Sequence, residues 1–321
     1  MSTPMISVLL PAYNARACVA RAIESVLAQT GVPFELIVID DASTDSTASH
    51  VSERYGHDRR LSVLRLGANG GPAHARNMGL AAARGEWIAL IDADDAWRPD
   101  RLQRLLAATE GADAVFDNMT GVDPATGAEI GALFPRFPAG RLTAEALLAP
   151  FAPGSRYDFG YLKPIMRRAF LEEHALRYDE QLRTSEDLLF YLVLLLQGAR
   201  TRMVNAPLYL YTTPVSHGTG EASALSHTVS RDGDVQAALE RVLVQFAGRL
   251  DPAASHAIRR RIEYLRSVGP LAEFDLARRR GDYRGALSVF ARDAGVRREM
   301  VDRLRRRVMR MAVPPYRRVE S

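Results

Sequence analysis

Cysteine is almost missing from the chain: Cys18 stands alone, which excludes an intramolecular disulfide and any cysteine-based metal cluster. Such usage fits a reducing compartment, and Cys18 falls in an apolar helical pattern where it reads as packing. Lysine is as scarce. Of 42 basic residues only Lys163 is a lysine, so nearly all positive charge is guanidinium. No apolar stretch reaches the roughly 20 residues of a membrane span; the longest candidate, Leu188 to Leu196, contains Tyr191. Met1-Ser2-Thr3-Pro4 runs straight into an apolar segment with no basic leader or small-residue cleavage site, so a cytoplasmic protein is expected. Internal repeats and low-complexity tracts are missing too. What remains is ordinary globular usage, 47% hydrophobic and 25% charged over 321 residues, enough for one large domain or two modest ones. The net charge of +4 is unevenly placed, with arginines crowding the last third and acidic clusters in the first two thirds.

Short apolar runs alternate with helical periodicity. Ile6 to Leu10 reads as a buried parallel strand, and Ala15 to Gln29 repeats its apolar pairs Cys18/Val19, Ala22/Ile23 and Val26/Leu27 every four residues, one buried helical face. Phe34 to Ile39 is the next strand and ends in Asp40-Asp41. A helix capped within Ser43 to Ser46, a strand over Leu61 to Leu66, a loop and helix over Gly70 to Ala83, and a strand over Trp87 to Ile91 follow. A helix from Pro99-Asp100 to Ala108 and a strand near Ala114 to Phe116 continue the pattern. Residues 118 to 160, rich in Gly, Pro and Ala, read mostly as loops covering a site. Helices are expected over Arg167 to His174 and Asp187 to Gln197, a strand over Arg202 to Tyr211, and helix from Leu225 onward. The fold class is therefore α/β, a mostly parallel sheet flanked by helices with a helical C-terminal extension. Ligands of such sheets bind outside the carboxyl ends of the strands.

Acids gather at those ends. Asp92 and Asp94 lie two apart, so strand alternation points them to one side while Asp95 points away or begins a turn. Two carboxylates there suit Mg²⁺ or Mn²⁺, with a diphosphate completing the coordination. The same residues also suit turn and capping roles before Arg98-Pro99-Asp100. Asp40-Asp41 ends another strand of the same unit, and mutually repelling carboxylates need a cation or hydrogen-bond donors.

Five segments, Val8-Leu9-Leu10-Pro11-Ala12-Tyr13-Asn14, Val38 to Asp45, Asn69 to Gly79, Asp92-Ala93-Asp94-Asp95 and Ser185-Glu186-Asp187, together resemble the inverting glycosyltransferases of family 2, which have the GT-A fold. The likeness covers roughly residues 5 to 215. It implies a metal-dependent transfer of a hexose, with UDP-glucose as expected donor, to a saccharide acceptor. Within the family the pattern is most similar to bacterial exopolysaccharide glucosyltransferases of the succinoglycan type, which implies a polyprenyl-diphosphate-linked acceptor. The resemblance puts Pro11, Tyr13 and Asp41 at the nucleoside base, with the Tyr13 ring free to stack and Asp41 free to accept the imide N–H of uracil or thymine. Asn14, Gly71, Arg76, Asp92 and Ala93 join the nucleotide-sugar set, the glycines admitting a close backbone approach and Arg76 pairing with phosphate or with the acids. Asp94, Asp92 and His217 are the implied metal ligands, and Asp187 the implied base for the acceptor hydroxyl. Acids in the first turn of a helix are also common caps, so Asp187 suits both roles. His217 equally suits a solvated loop, and Pro214-Val215 stand where many relatives carry a basic residue and glycine.

The implied division is a glycosyltransferase domain over 1–224, with a nucleotide-sugar half to 117 and an acceptor half from 118, then a helical region over 225–321. Lys163, Arg167, Arg183 and Tyr161 are candidates for the acceptor cleft. Near the end, Val301, Leu304, Val308 and Met311 form a narrow apolar stripe among arginines, fit either for the inner face of an anionic membrane or for packing on the domain or a second subunit in a homodimer. Two rivals fare worse. A sugar nucleotidyltransferase needs a Gly-rich basic loop where Pro11-Ala12-Tyr13-Asn14 stand. A basic-tailed, non-catalytic binding protein leaves the ordered acids unexplained, and no nucleic-acid partner is expected.

Overall fold

A computed structural model of the chain describes residues 5–152, 155–213, 232–279 and 281–311. The described residues cluster into two compact units, Met1–Ala257 and Ile258–Ser321.

The first unit is built on one sheet with nine strands among the described residues. β1 (Ile6–Ala12), β2 (Phe34–Asp40), β3 (Leu61–Arg65) and β4 (Trp87–Leu90) are joined by helices α1 (Val19–Leu27), α2 (Thr47–Tyr55) and α3 (Pro72–Ala82), and lie parallel in the order β3-β2-β1-β4. The runs of β1, β2 and β4 are buried on both faces, which is why β1 and β2 read as continuous hydrophobic segments, whereas the edge strand β3 is part exposed. Register sets the chemistry. Ala12 pairs with Asp40 and Leu9 with Leu90, so the segments that follow, Tyr13-Asn14, Asp41 and Asp92 to Asp95, emerge along one edge. α1 is shorter than its periodicity predicts. Residues from Asn14 to Cys18 form a turn instead, held from the neighbouring loop by the Asp45 carboxylate and the Ser43 and Thr47 hydroxyls, which accept from the Arg16, Asn14 and Ala15 N–H groups.

After β5 (Ala96–Trp97) and α4 (Arg101–Leu106) the sheet continues through β6 (Ala114–Val122), with β7 (Glu129–Ala132) paired to its far half. This corrects the expectation of loops from residue 118. β6 runs nine residues because its second half pairs in parallel with the end of β9 (Thr201–Thr212), and the register shifts at Asp117–Asn118–Met119 where the strand bends. A short helix α5 (Ala144–Leu148) and a single 3₁₀ turn (Phe159–Tyr161) follow, then β8 (Ile165–Arg167), which runs antiparallel between β4 and β6. α6 (Arg168–Glu173) precedes α7 (Glu186–Leu196). Eight of the eleven α7 residues are buried, so the longest apolar run of the sequence is a core helix. α8 (Asp232–Gln245) completes the described part of this unit before α9 (Pro252–Arg279), in which the division falls.

The second unit comprises the rest of α9, α10 (Tyr283–Arg292) and α11 (Ala294–Met311), packed around Leu271, Phe274, Ala286, Val289 and Val296. No helix among the described residues is long and apolar enough to cross a membrane.

Candidate active site

The acids after β4 do not continue the strand. β4 ends at Leu90, and the chain turns at Asp92–Asp95, with the Asp95 N–H donating to the Asp92 carbonyl at 3.1 Å. Strand alternation therefore does not govern these side chains; the turn does. Asp95 points inward, where the Tyr209 hydroxyl donates to Oδ2 at 2.6 Å and the Thr212 N–H to Oδ1 at 2.8 Å. That same hydroxyl accepts from the Asp92 N–H at 3.1 Å, so β9 clamps the turn. Asp92 and Asp94 remain partly exposed. The Asp94 carbonyl accepts from Arg21 and the Thr212 hydroxyl, which fixes the backbone and leaves the carboxylate out of that bond.

Two buried cations face these acids. Arg76, on α3, pairs with Asp92 at 2.8 Å and with Glu186, lies 3.6 Å from Asp187, and stacks over the Tyr178 ring. Lys163, 5% exposed, holds Asp92 Oδ2 at 3.1 Å and Asp187 Oδ2 at 2.9 Å. Burial opposes the charge on that amine, but Asp187 and Asp92 outweigh it and raise its pKa. Asp92 shows the converse: burial would raise its pKa, yet Lys163 and Arg76 push it down to about 2. Asp94 has no such escort. Burial and the neighbouring Asp92 charge raise it to about 6, and Asp95 is raised by burial and by Asp94. Five carboxylates, Asp92, Asp94, Asp95, Glu186 and Asp187, thus share two buried cations, and the surplus falls on Asp94 and on Asp95, of which Asp95 is held by Tyr209 and Thr212. This donor set fits a divalent cation: Asp92 already has both oxygens engaged, and Asp94 is the carboxylate a cation would relieve. Among the described residues no three Asp, Glu, His or Cys side chains converge as a complete cage, and His217 lies outside the described residues.

Asp187 sits on the first turn of α7, 7% exposed, after Ser185 in a left-handed conformation. Its Oδ2 is taken by Lys163 and its Oδ1 is buried, with the Tyr178 hydroxyl, whose pKa burial and the Asp187 charge raise, beside the carboxylate. Lys163 is itself fixed from behind. Its carbonyl accepts from Arg101, which forms a fully buried bidentate pair with Asp117 on β6, and the preceding Leu162 carbonyl accepts from the Tyr191 hydroxyl at 2.8 Å.

At the adjoining strand ends, Asp41 accepts from the Gly70 and Gly71 N–H groups at 2.9 and 2.7 Å. Each oxygen keeps a second lone pair. Gly71 has φ of 86° and ψ of 175°, a conformation open essentially to glycine alone, so glycine is required at this point. Pro11 is the last but one residue of β1 and Tyr13, just beyond the strand, is half exposed; Asn14 takes a left-handed φ of 49° while its Oδ1 accepts the Thr44 N–H at 2.8 Å.

The sequence pattern of the family described as Glycosyl transferase family 2 matches residues 7–168. The succinoglycan biosynthesis protein ExoU of Rhizobium meliloti (strain 1021) is 36% identical over 286 residues, 86% of this chain and 80% of ExoU. The chain belongs to glycosyltransferase family 2. A second relative from the same organism, succinoglycan biosynthesis protein ExoO, is 39% identical over 214 residues, 65% of this chain but only 60% of ExoO. Among solved structures, that of Staphylococcus aureus TarS 1-349 in complex with UDP superposes with a TM-score of 0.61 at 23% identity, covering 82% of this chain and 70% of that one, a likeness of fold.

This family 2 chain therefore brings Arg76, Asp92 and Asp187 into one ionic network, with Asp94 beside it and Asp41 next to Gly70–Gly71 on the neighbouring strand end. It leaves Arg167 out. That guanidinium stacks on Trp87 and donates to the Ala112 carbonyl, at the opposite end of β4 from the acids, because β8 runs antiparallel and carries Lys163 toward them and Arg167 away. Sequence reasoning missed the bridging role of Lys163, the Tyr209 clamp and the Arg101–Asp117 pair. Only Lys163 left a signal, as the one lysine of the chain.

Proposed function

We propose that the protein transfers a hexose, glucose from UDP-glucose in the first instance, with inversion to a saccharide acceptor carried on a polyprenyl diphosphate, in the assembly of a bacterial exopolysaccharide. The observation that supports this reading best is the single amine of Lys163, which holds the donor-side acid Asp92 and the base candidate Asp187 on one centre. The succinoglycan names of the relatives support the polymer, and the UDP of the TarS complex supports the nucleotide.

Pro11, Tyr13, Asn14, Asp41 and Gly71 form the nucleoside side of the site. Tyr13 offers a ring face, and the remaining Asp41 lone pairs accept the imide N–H of uracil. Arg76, Asp92 and Ala93 lie toward the diphosphate and sugar. Asp187, held through Oδ2 by Lys163, takes the proton as the acceptor hydroxyl attacks the anomeric carbon. The bond from that carbon to the diphosphate breaks, UDP departs from the opposite face, and the anomeric configuration inverts. Asp94 would hold a divalent cation, Mn²⁺ or Mg²⁺, with Asp92 and His217 as the other candidate ligands, and that cation would neutralise charge on the leaving diphosphate. In this division of labour, residues to 117 serve the donor and residues 118–224 the acceptor and base, at the cytoplasmic face of the membrane.

Incubation with Mn²⁺ and UDP-, GDP-, dTDP- and CMP-sugars, followed by release of the nucleotide, tests the reading. Slow hydrolysis of UDP-glucose is expected. A response to none of the uridine donors rules out the base assignment of Asp41 and Tyr13.

A further inference from the structure

Three tyrosines from distant parts of the chain meet beside this site. Tyr157 precedes the 3₁₀ turn, Tyr161 is its last residue, and Tyr211 lies near the end of β9. Their ring centroids are 5.0 Å (157 to 161), 5.8 Å (157 to 211) and 5.9 Å (161 to 211) apart, each pair edge to face. Such rings hold one another in place, so the group is a preformed surface rather than a set of mobile side chains. Tyr161 remains 41% exposed, unusual for an aromatic already packed on two others.

The neighbours of the cluster place it against the reacting groups. Tyr161 is two residues before Lys163, the amine that holds Asp187. Gly160 packs so closely on α7 that a Cβ there would come within 2.9 Å of Leu188 Cβ, the residue after Asp187. Tyr211 immediately precedes Thr212, which binds both Asp95 and the Asp94 carbonyl. The cluster is thus tied to the acid turn through Thr212 and to α7 through Gly160.

We propose that Tyr161, backed by Tyr157 and Tyr211, is the binding subsite for a pyranose ring of the acceptor. One face of a pyranose in the gluco or galacto series presents mainly C–H groups, which pack on an aromatic ring, while the hydroxyls at its edge stay free for hydrogen bonds. A sugar held on Tyr161 presents such an edge hydroxyl toward Asp187. Tyrosine suits the task because its stiff side chain loses little entropy on binding. The proposal rests on the reading of this site as one with a saccharide acceptor, but it concerns binding and is tested without transfer.

Saturation-transfer NMR with methyl β-D-glucopyranoside and methyl β-D-galactopyranoside, each mixed with UDP and Mn²⁺, reads the two halves of the site in one tube. The wild-type protein is expected to saturate the ring protons of at least one glycoside. Tyr161→Ala weakens that signal about tenfold, the scale of one lost aromatic contact, and Tyr161→Phe preserves it, while the UDP signal persists in both and circular dichroism reports an intact fold. No glycoside saturation in the wild type, an unchanged signal in Tyr161→Ala, or a Phe variant as weak as the Ala variant overturns the subsite. Loss of the UDP signal with the sugar signal intact strikes the donor reading instead.

Discussion

At the scale of single residues, the site is organised by charge. Asp187→Asn removes the proposed base while keeping the shape, and transfer is expected to fall about 10²- to 10⁴-fold with UDP binding retained, as isothermal calorimetry against transfer rate checks. Lys163→Met leaves Asp92 and Asp187 facing each other with one cation fewer. Lys163→Arg does not restore activity, because a planar fork cannot replace a point charge between two carboxylates at 3.1 and 2.9 Å. Protonation gives a further test. Asp94 is raised to about 6, so below that pH a proton competes for the oxygen that a cation needs. Mn²⁺ affinity measured with UDP-glucose, whose diphosphate diester does not titrate in this range, is expected to drop as pH falls through about 6 and to level off above it. A flat profile between about pH 5 and about pH 7.5 would remove Asp94 from the ligand set. The stability signs oppose one another. Asp94, raised, destabilises the folded state above its unfolded pKa, and that cost fades as pH falls through about 6; Asp92, lowered to about 2, stabilises above its unfolded pKa, and that gain is lost as pH falls toward about 2.

Acids at strand ends were legible in the sequence because a carboxylate at the end of an apolar run breaks the pattern. Their counter-charges were not. Arg76 reaches Glu186 and Lys163 reaches Asp92 only through the sheet order β1-β4-β8-β6, in which residues far apart in sequence become neighbours. The same limit applies to whole elements. β1 to β4 follow from apolar runs separated by helical periods, whereas β6 beyond Phe116 carries Asp117, Asn118 and Thr120, all buried, and no single-strand pattern marks polar residues as core. They are core because they are paired. Asp117 meets Arg101 with neither side chain exposed, and Arg101 lies over the rings of Trp97 and Tyr209 while donating to the Lys163 carbonyl. Removing one partner strands a buried charge, so Asp117→Ala is expected to cost about 3–5 kcal/mol in urea unfolding. The double change Arg101→Met with Asp117→Leu is expected to recover much of that loss, since apolar residues of similar volume leave no charge behind. Recovery of stability without recovery of transfer would show that this pair also positions Lys163.

Over the whole molecule, the helices after residue 231 are legible as helices, but the sequence leaves open whether the apolar stripe of the last one meets membrane, domain or second subunit. The second unit has its own small core, and α11 extends from it with Val301 45% and Leu304 62% exposed, one turn apart. An apolar pair exposed on a helix whose sequence is crowded with arginine matches the chemistry of an anionic bilayer surface, where each arginine near the surface contributes about 1 kcal/mol. An acceptor on a polyprenyl diphosphate would be presented at that surface. The protein is therefore expected to sediment with phosphatidylglycerol vesicles and not with phosphatidylcholine vesicles, and to be released as salt shortens the range of the attraction. Val301→Asp with Leu304→Asp is expected to weaken vesicle binding at least tenfold, since it removes the apolar contact and adds two repelling charges. Transfer to a short water-soluble acceptor should be untouched. If the double variant instead converts a dimer to a monomer in light scattering and the wild type ignores vesicles, the exposed pair is a subunit contact and the membrane reading fails.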